Sequence, residues 1–382
     1  MTELSRDELQ RYSRHILLPQ VGLAGQKKIS ASSVLLVGAG GLGSPIALYL
    51  AAAGVGRIGL VDHDQVDETN LQRQVLHDTA HIGSQKTDSA RQRLLALNPH
   101  IHVDIYPETF RAENARGIAR DYDILVDGSD NFPTRYLLND LAVLTGKPYV
   151  YGSIFQFEGQ VSVFDARRGP CYRCLFPAPP SPEHTISCAE GGVLGVLPGV
   201  IGAIQATEVL KLICGIGEPL IGRLLIYDAL DMSFQAIQLK KNPACQLCGS
   251  QPVITDLLDY QEFCGVPENV TVNGLPAEWE IEPLDLHRLR RQGSPLRLID
   301  LRRETERAIS HIDGAEHIPM DHILAALADE NRDCDLILFC RSGVRSARAV
   351  RWLRQAGFTR VRHLAGGINA WADEVDPTIA KY

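Results

Sequence analysis

Two loops of this 382-residue chain place chemically capable residues at the end of a strand. In Ser33-Val-Leu-Leu-Val-Gly38-Ala-Gly40-Gly41-Leu-Gly43-Ser44-Pro45, a β-branched apolar run breaks into glycines and then starts a helix. Glycine lets a ligand approach the main chain closely, and the N–H groups and positive dipole end of the next helix favour an anion. The loop is therefore a candidate phosphate cradle, with Ser44 suited to the N-cap and Pro45 to the first turn. In Ile337-Leu-Phe-Cys340-Arg341-Ser342-Gly343-Val344-Arg345-Ser346-Ala347, the same order of strand, loop and helix carries a cysteine with arginines at both ends of the loop. Loop amides, a helix N-terminus and cations favour thiolate over thiol, so Cys340 is a candidate nucleophile and Arg341 to Arg345 its anion-binding loop.

A glycine loop after a strand fits a nicotinamide or flavin dinucleotide, and also a tight turn with no ligand at all. Asp62, after the second strand, suits a ribose. The residues downstream of Asp62 do not suit hydride transfer: Asn70-Leu-Gln-Arg73-Gln74 and Gly83-Ser-Gln-Lys86 supply amides and cations where a triphosphate needs its charge neutralised. Asp127-Gly-Ser-Asp130-Asn131 puts carboxylates at the ligand-binding edge of such a sheet, and hard Mg²⁺ prefers oxygen. The combination points to ATP rather than NAD. Each residue alone has a plainer reading: a surface ion pair for Arg14, solvated helix faces for Arg73 and Lys86, and a helix N-cap for Asp130.

Nine cysteines without a secretion signal imply a reducing compartment, and cytoplasmic location is the expectation. Four of them form two Cys-x-x-Cys pairs, Cys171/Cys174 and Cys245/Cys248, about seventy residues apart. Four thiolates are a preferred set for structural Zn²⁺, whereas a redox dithiol explains one pair but not two. Cys214, Cys264 and Cys334 are expected to pack as small apolar residues. Cys188 stands in a Pro- and Gly-rich segment, Phe176 to Gly195, which predicts a crossing loop without long regular structure.

These residues need a scaffold, and the chain spells an α/β one. Strands at Val34–Val37, Ile58–Val61, Ile101–Ile105 and Ile124–Val126 alternate with helices at Ser44–Ala53, Lys86–Leu97 and Asn131–Leu144, the pattern of a mainly parallel, Rossmann-like sheet covered on both faces. Antiparallel strands at Tyr149–Phe157, Gly159–Phe164, Leu224–Asp228 and Ser233–Leu239 extend it. The predicted division is a first domain over 1–250, a turn-rich linker over 251–276 and a smaller α/β domain over 277–382. That second domain has strands at Leu296–Ile299, Leu336–Phe339 and Val361–Leu364 and a helix at Ser346–Ala356. A net charge of −8 provides no cation excess for nucleic acid or a membrane surface, and the longest apolar stretch, Val193 to Cys214, contains Pro198, Glu208 and Lys211 and reads as a buried helix.

The segments Arg11-Tyr-Ser-Arg14-His-Ile-Leu-Leu-Pro, Gly38-x-Gly40-Gly41-x-Gly43, Asp62-x-Asp64-x-Val-Asp67-x-x-Asn70-Leu-x-Arg73-Gln74 and Asp130-Asn131 resemble the family that adenylates ubiquitin-like proteins. The nearest branch is that of the molybdopterin-synthase and thiamine-thiocarboxylate adenylyltransferases, matched over about Glu8 to Ser250. The resemblance implies that the glycine loop binds phosphate and that Asp62, with Asp64, lies at the ribose. It also implies that Asn70, Arg73, Gln74 and Lys86 contact the phosphates, that Asp130, beside Asn131, holds Mg²⁺, and that Arg14 reaches into the partner subunit's site of a homodimer. Cys188 stands where family members carry a cysteine that forms a thioester or mixed disulfide with the activated carrier.

The Cys340 loop resembles that of rhodanese-type sulfurtransferases, as do Leu298-Ile-Asp300-Leu-Arg302, Gly314-Ala-Glu-His-Ile-Pro319 and Leu364-Ala-Gly-Gly-Ile-Asn-Ala-Trp371. Cysteine phosphatases have five residues between Cys and Arg; the four here make a smaller cradle, suited to a persulfide sulfur. The implied function is adenylation of the C-terminal glycine of a ubiquitin-like sulfur carrier ending in Gly-Gly, then sulfur delivery from a Cys340 persulfide to form a thiocarboxylate. Thiosulfate or a cysteine desulfurase persulfide would load Cys340, and molybdopterin, thiamine, cysteine or tRNA thiolation would consume the product. Two other readings stand beside it. One is activation of a carrier for conjugation through a Cys188 thioester; the other is an NAD-dependent oxidoreductase, which leaves Arg73, Lys86 and the paired cysteines idle.

Overall fold

Val34 and Leu36 of β1 (Ser33–Val37) bury into one apolar layer, and Leu35 and Val37 into another, the period-2 signature of a strand covered on both faces. The computed structural model describes residues 3–180, 191–264 and 275–382, and the chain divides into two compact units, Met1–Pro267 and Glu268–Tyr382. In the first unit β1 pairs in parallel with both β2 (Arg57–Val61) and β4 (Ile124–Asp127). The sheet order is β3-β2-β1-β4-β5-β6-β7-β8, with β3 at His102–Tyr106, β5 at Tyr149–Phe155, β6 at Glu158–Phe164, β7 at Arg223–Asp228 and β8 at Ser233–Gln238. The pairings from β5 onward are antiparallel, as expected for the extension. Chain order reverses on either side of β1, which opens a crevice at the carboxyl ends of β1 and β4. The glycine loop and the Asp127–Asn131 turn both leave the sheet there.

The helices Gly43–Ala53 and Leu197–Cys214 cover one face of this sheet, and Ala112–Ala119 and Phe132–Thr145 the other. Leu197–Cys214 is long and apolar enough to cross a membrane, but half of it is buried in the protein, with Leu197, Ile201 and Val209 in the core. Ala203, Thr207 and Leu210 line an open groove with His15, Tyr49 and Ala52. Residues 251–264, expected as the start of the linker, instead pack into the first unit: Tyr260 and Cys264 join its core, and Tyr260 donates to Asp140 at 2.8 Å. Turn-rich composition reported irregular backbone correctly, but an irregular backbone can still be buried.

The second unit is an all-parallel sheet in the order β11-β10-β12-β13-β9, formed by β9 (Glu280–Ile281), β10 (Arg297–Asp300), β11 (Glu316–His317), β12 (Leu336–Phe339) and β13 (Val361–Leu364). The edge strands β9 and β11 have two residues each, too few to show a period in sequence. Helix Val344–Gln355 begins two residues before the expected Ser346, because Gly343, at φ 91°, makes the sharp entry turn.

Candidate functional site

The glycines of the first loop divide into two kinds. Gly38 has φ 99° and a Cβ there would lie 2.6 Å from the Gly128 carbonyl, while one on Gly43 would lie 2.0 Å from Gly38 O, so packing alone demands both. Gly40 and Gly41 face no such demand. Their nearest neighbours, Gln74 Nε2 at 3.5 Å and Pro198 Cγ at 3.3 Å, leave an open floor. No side chain caps the Gly43–Ala53 helix, whose N-cap position is Leu42. Ser44 is therefore not the cap: it lies inside the first turn, where its hydroxyl donates back to Gly40 O at 2.7 Å. The helix N-terminus is left to an anion.

Around this floor the structure assembles most of the residues singled out from sequence. Asp62 accepts from Ala39 N at 2.8 Å and from Asp64 N at 2.9 Å, so it braces the glycine loop. Lys86 is buried, not solvated, and donates to Asp64 at 2.8 Å. Arg73 donates to Asn70 Oδ1 at 2.8 Å, and its Cγ comes within 3.6 Å of a Cβ built on Gly41. Gln74 Oε1, Gln85 Oε1 and Thr87 Oγ1 are buried without a hydrogen-bond partner, and Gln74 borders the open floor. The donor that Gln74 presents to the open floor is its amide Nε2, the group a phosphate oxygen can accept from. Asn131, not Asp130, caps the Phe132–Thr145 helix by accepting from Thr134 N at 3.0 Å. Asp130 is left exposed, with no side-chain hydrogen bond or ion pair among the described residues.

His77 escaped the sequence reading, since a lone histidine in a turn carries no signal. It joins the Ala39 carbonyl at 2.9 Å through Nε2 and Ser89 Oγ at 3.0 Å through Nδ1. Burial, with Lys86 nearby, holds its pKa below 6.5 despite the Ala39 bond. The ring is neutral at pH 7, with the proton on Nε2 because a carbonyl can only accept. Ala39 is thus pinned at both its N–H and its C=O.

Arg14 is exposed on the short Ser13–Ile16 helix, and among the described residues no hydrogen bond or ion pair joins it to the glycine loop of its own chain. Its helix is anchored by His15 Nδ1 to Gln26 at 3.2 Å and Gln26 Nε2 to Ala53 O at 2.9 Å. Cys188 lies outside the described residues.

The sulfurs of Cys171, Cys174, Cys245 and Cys248 all lie within 4.8 Å of one another, with individual separations of 3.9, 3.6 and 3.4 Å. Tetrahedral zinc with Zn–S near 2.3 Å requires S···S near about 3.8 Å, so the cluster could hold that ion. Asn242 N donates to Cys174 Sγ at 3.4 Å. Arg173, between the first two cysteines, makes a bidentate pair with Asp140 at 2.8 Å and stacks on Phe263 at 4.5 Å, tying the knuckle to the Phe132–Thr145 helix and to residues 251–264.

In the second unit Cys340 is buried at the carboxyl end of β12, with Ser346 Oγ 3.6 Å from its sulfur and 3.0 Å from Gly343 O. Gly366 and Gly367 clamp the loop from outside: Ile368 N and Asn369 N donate to Cys340 O and Arg341 O, and a Cβ on Gly367 would lie 2.4 Å from Cys340 O. Arg345, expected to act on the thiol by its charge, instead makes a bidentate pair with Glu306 at 2.8 and 2.5 Å. Tyr382 donates to the same carboxylate at 3.1 Å and lies under Arg341 at 5.2 Å. Glu306, missed from sequence, is a structural brace of the loop.

Burial raises the Glu306 pKa, but Arg345 and the Arg303 amide outweigh it and hold the group below its ordinary 4.5. A depressed folded-state value means stability that is present above the ordinary pKa and lost as pH falls through the folded one. Acidification below about pH 4.5 should therefore weaken the second unit. Glu306→Gln is expected to flatten that acid limb and to cost about 2 kcal/mol at pH 7, read by denaturant melts at both pH values.

Residues 12–247 match the ThiF family, and residues 282–374 match the rhodanese-like domain. The chain belongs to the ThiF family. It is 49% identical over 385 residues to the probable adenylyltransferase/sulfurtransferase MoeZ of Mycobacterium tuberculosis H37Rv, covering 99% of this chain and 96% of that one. It is 43% identical to the adenylyltransferase and sulfurtransferase MOCS3 of Drosophila yakuba, covering 100% and 86%. Among solved structures, Escherichia coli MccB with ATP superposes with a TM-score of 0.55 at 24% identity, covering 63% of this ThiF-family chain and 74% of MccB, a likeness of fold. The relatives' names carry both transferase activities over the full length, which leaves neither the oxidoreductase nor the conjugation reading favoured.

Proposed function

We propose that this protein adenylates the C-terminal glycine of a ubiquitin-like sulfur carrier and then converts it to a thiocarboxylate with sulfur held on Cys340. One observation carries the reading: an open glycine floor bordered by Arg73 and Gln74, with a buried Lys86 held on Asp64, shares a chain with a cysteine held at a strand-to-helix loop. The carrier carboxylate attacks the α-phosphorus of ATP and pyrophosphate leaves. Arg73 and Lys86 offset the charge that two approaching anions bring together, and Asp62 sets the ribose. Asp130 is the oxygen ligand for Mg²⁺, which when bound screens the phosphates.

The Cys340 persulfide sulfur then attacks the acyl carbon and AMP leaves, giving an acyl disulfide. A thiolate that attacks Cys340 Sγ releases the thiocarboxylate and leaves a disulfide for a further thiol to reduce. Cys188 is the thiol we assign to that step. Thiosulfate or the persulfide of a cysteine desulfurase reloads Cys340. None of the eight cysteines among the described residues is in a disulfide, in keeping with a reducing setting.

The carrier's body has a surface to meet. Leu194 N bonds Gln156 O at 3.0 Å and Ala229 N bonds Phe157 O at 2.9 Å, which gathers exposed Phe157, Leu194, Leu230 and Met232 at the sheet's end. Gly195 abuts Gln72, and Pro198 borders Gly41, so this apolar rim is continuous with the glycine floor. A second copy would cover the groove between Tyr49 and Leu210, with Arg14 crossing into its partner's site.

Incubation with ATP, thiosulfate and a carrier ending in Gly-Gly should raise the carrier's mass by the difference between sulfur and oxygen. An unchanged carrier that nevertheless forms acyl-adenylate would sink the sulfur step. Zn²⁺ at Cys171, Cys174, Cys245 and Cys248 is part of the same proposal. Cys245→Ser should release one zinc per chain by elemental analysis and destabilise the first unit by several kcal/mol, about the scale of a structural site.

A further inference from the structure

We propose that the buried Asp127 carboxylate is a positioning residue for adenylation: through Ser129 it sets the turn that presents Asp130 to the nucleotide phosphates. The inference rests on the reading of Asp130 as the Mg²⁺ ligand. Asp127 ends β4 and is fully buried, where a carboxylate is costly unless its lone pairs are used. They are used. Oδ1 accepts from Ser129 N at 2.9 Å and Ser129 Oγ at 2.6 Å, and Oδ2 accepts from the Tyr149 hydroxyl at 2.6 Å.

Side chains from both faces of the sheet converge on this residue. Gln205 of the Leu197–Cys214 helix donates to Asp127 O at 2.8 Å, and it reaches that carbonyl only because Gly152 lacks a Cβ, which would lie 2.3 Å from the Gln205 amide. From the other face, Arg135 is buried beside Tyr151 at 5.9 Å and Phe132 at 5.2 Å, with its Nε lacking a hydrogen-bond partner. Burial pushes the Asp127 carboxyl above its ordinary pKa, and the Arg135 charge with the bonds from Ser129 and Tyr149 opposes that rise. The turn itself is wedged onto the phosphate loop, since a Cβ on Gly128 would lie 2.5 Å from Gly38 O. An apolar residue could fill the space of Asp127. It could not hold Ser129 by both its amide and its hydroxyl, and so could not fix the direction in which the chain leaves for Asp130.

The test is calorimetric titration of ATP into the full chain over a range of Mg²⁺ concentrations, on wild type, Ser129→Ala, Tyr149→Phe, Asp127→Asn and Asp130→Asn. Asp130→Asn should flatten the Mg²⁺ dependence of ATP affinity. Ser129→Ala and Asp127→Asn should keep that dependence but move its midpoint to about tenfold higher Mg²⁺, the worth of one hydrogen bond to a charged group. Transfer of sulfur from thiosulfate to cyanide by Cys340 should be unchanged in all of them. If Asp130→Asn behaves as wild type, the metal-ligand reading fails. If Asp130→Asn flattens the curve while Ser129→Ala and Asp127→Asn follow wild type, the positioning role is overturned. Ser129→Ala and Tyr149→Phe each remove a single hydroxyl, so they decide the matter should Asp127→Asn not fold.

Discussion

Cys340→Ala is expected to abolish sulfur transfer, by a factor of about 10³ or more, while ATP–pyrophosphate exchange stays within about twofold of wild type. The asymmetry arises from the site. The sulfur is the only part of Cys340 that the reaction uses, as the carrier of the transferred sulfur, and alanine fits the same buried position at the end of β12, with the Gly366–Gly367 clamp and the Glu306–Arg345 brace untouched. The loop should keep its shape and lose its nucleophile. Carrier would then accumulate as acyl-adenylate, which mass spectrometry after trapping with a small amine would show. Residual thiocarboxylate from Cys340→Ala at more than a few per cent of the wild-type rate would move the sulfur chemistry to another cysteine.

Lys86→Met should have the converse effect, lowering ATP–pyrophosphate exchange by about 10² to 10⁴ while leaving thiosulfate–cyanide transfer intact. Lys86 is one of the few basic side chains that the first unit buries, and its partner Asp64 is half exposed. Removing the ammonium therefore leaves no stranded buried charge, and methionine keeps the aliphatic stem packed. The fold should be spared and the charge lost. A dry site magnifies the value of a fixed cation as charge develops on the phosphates, whereas a solvated lysine would contribute little. Exchange within about threefold of wild type would make Lys86 only a brace for Asp64. Because each unit carries its own activity, each serves as the folding control for the other.

The order of elements was legible from the sequence because the signals are local. Alternating apolar runs marked the parallel strands, and the Lys86–Leu97 helix was bounded to the residue. Glycine and cysteine spacings marked the glycine loop and the four-thiol cluster for the same reason: Cys-x-x-Cys presents two thiols whatever surrounds it. Capping was less legible. Ser44 and Asp130 are both good caps by type, yet the N-cap positions fall at Leu42, two residues before Ser44, and at Asn131, one residue after Asp130. A shift of one or two residues is beyond what composition resolves.

The residue chemistry of both sites, and their order along the chain, were determined by the sequence itself, since a glycine floor, a strand-end cysteine and paired thiols depend on neighbours within a few positions. Only the tertiary structure decided which side chains carry free charge. Lys86 became a buried cation, Arg345 was spent on Glu306, and Asp127, Gln205 and His77 became braces for loops that they do not belong to. The reason is physical. Burial and pairing set the strength of a charge, and both depend on residues distant in sequence, such as Asp127 and Gln205 or Glu306 and Arg345, that meet only when the sheets close.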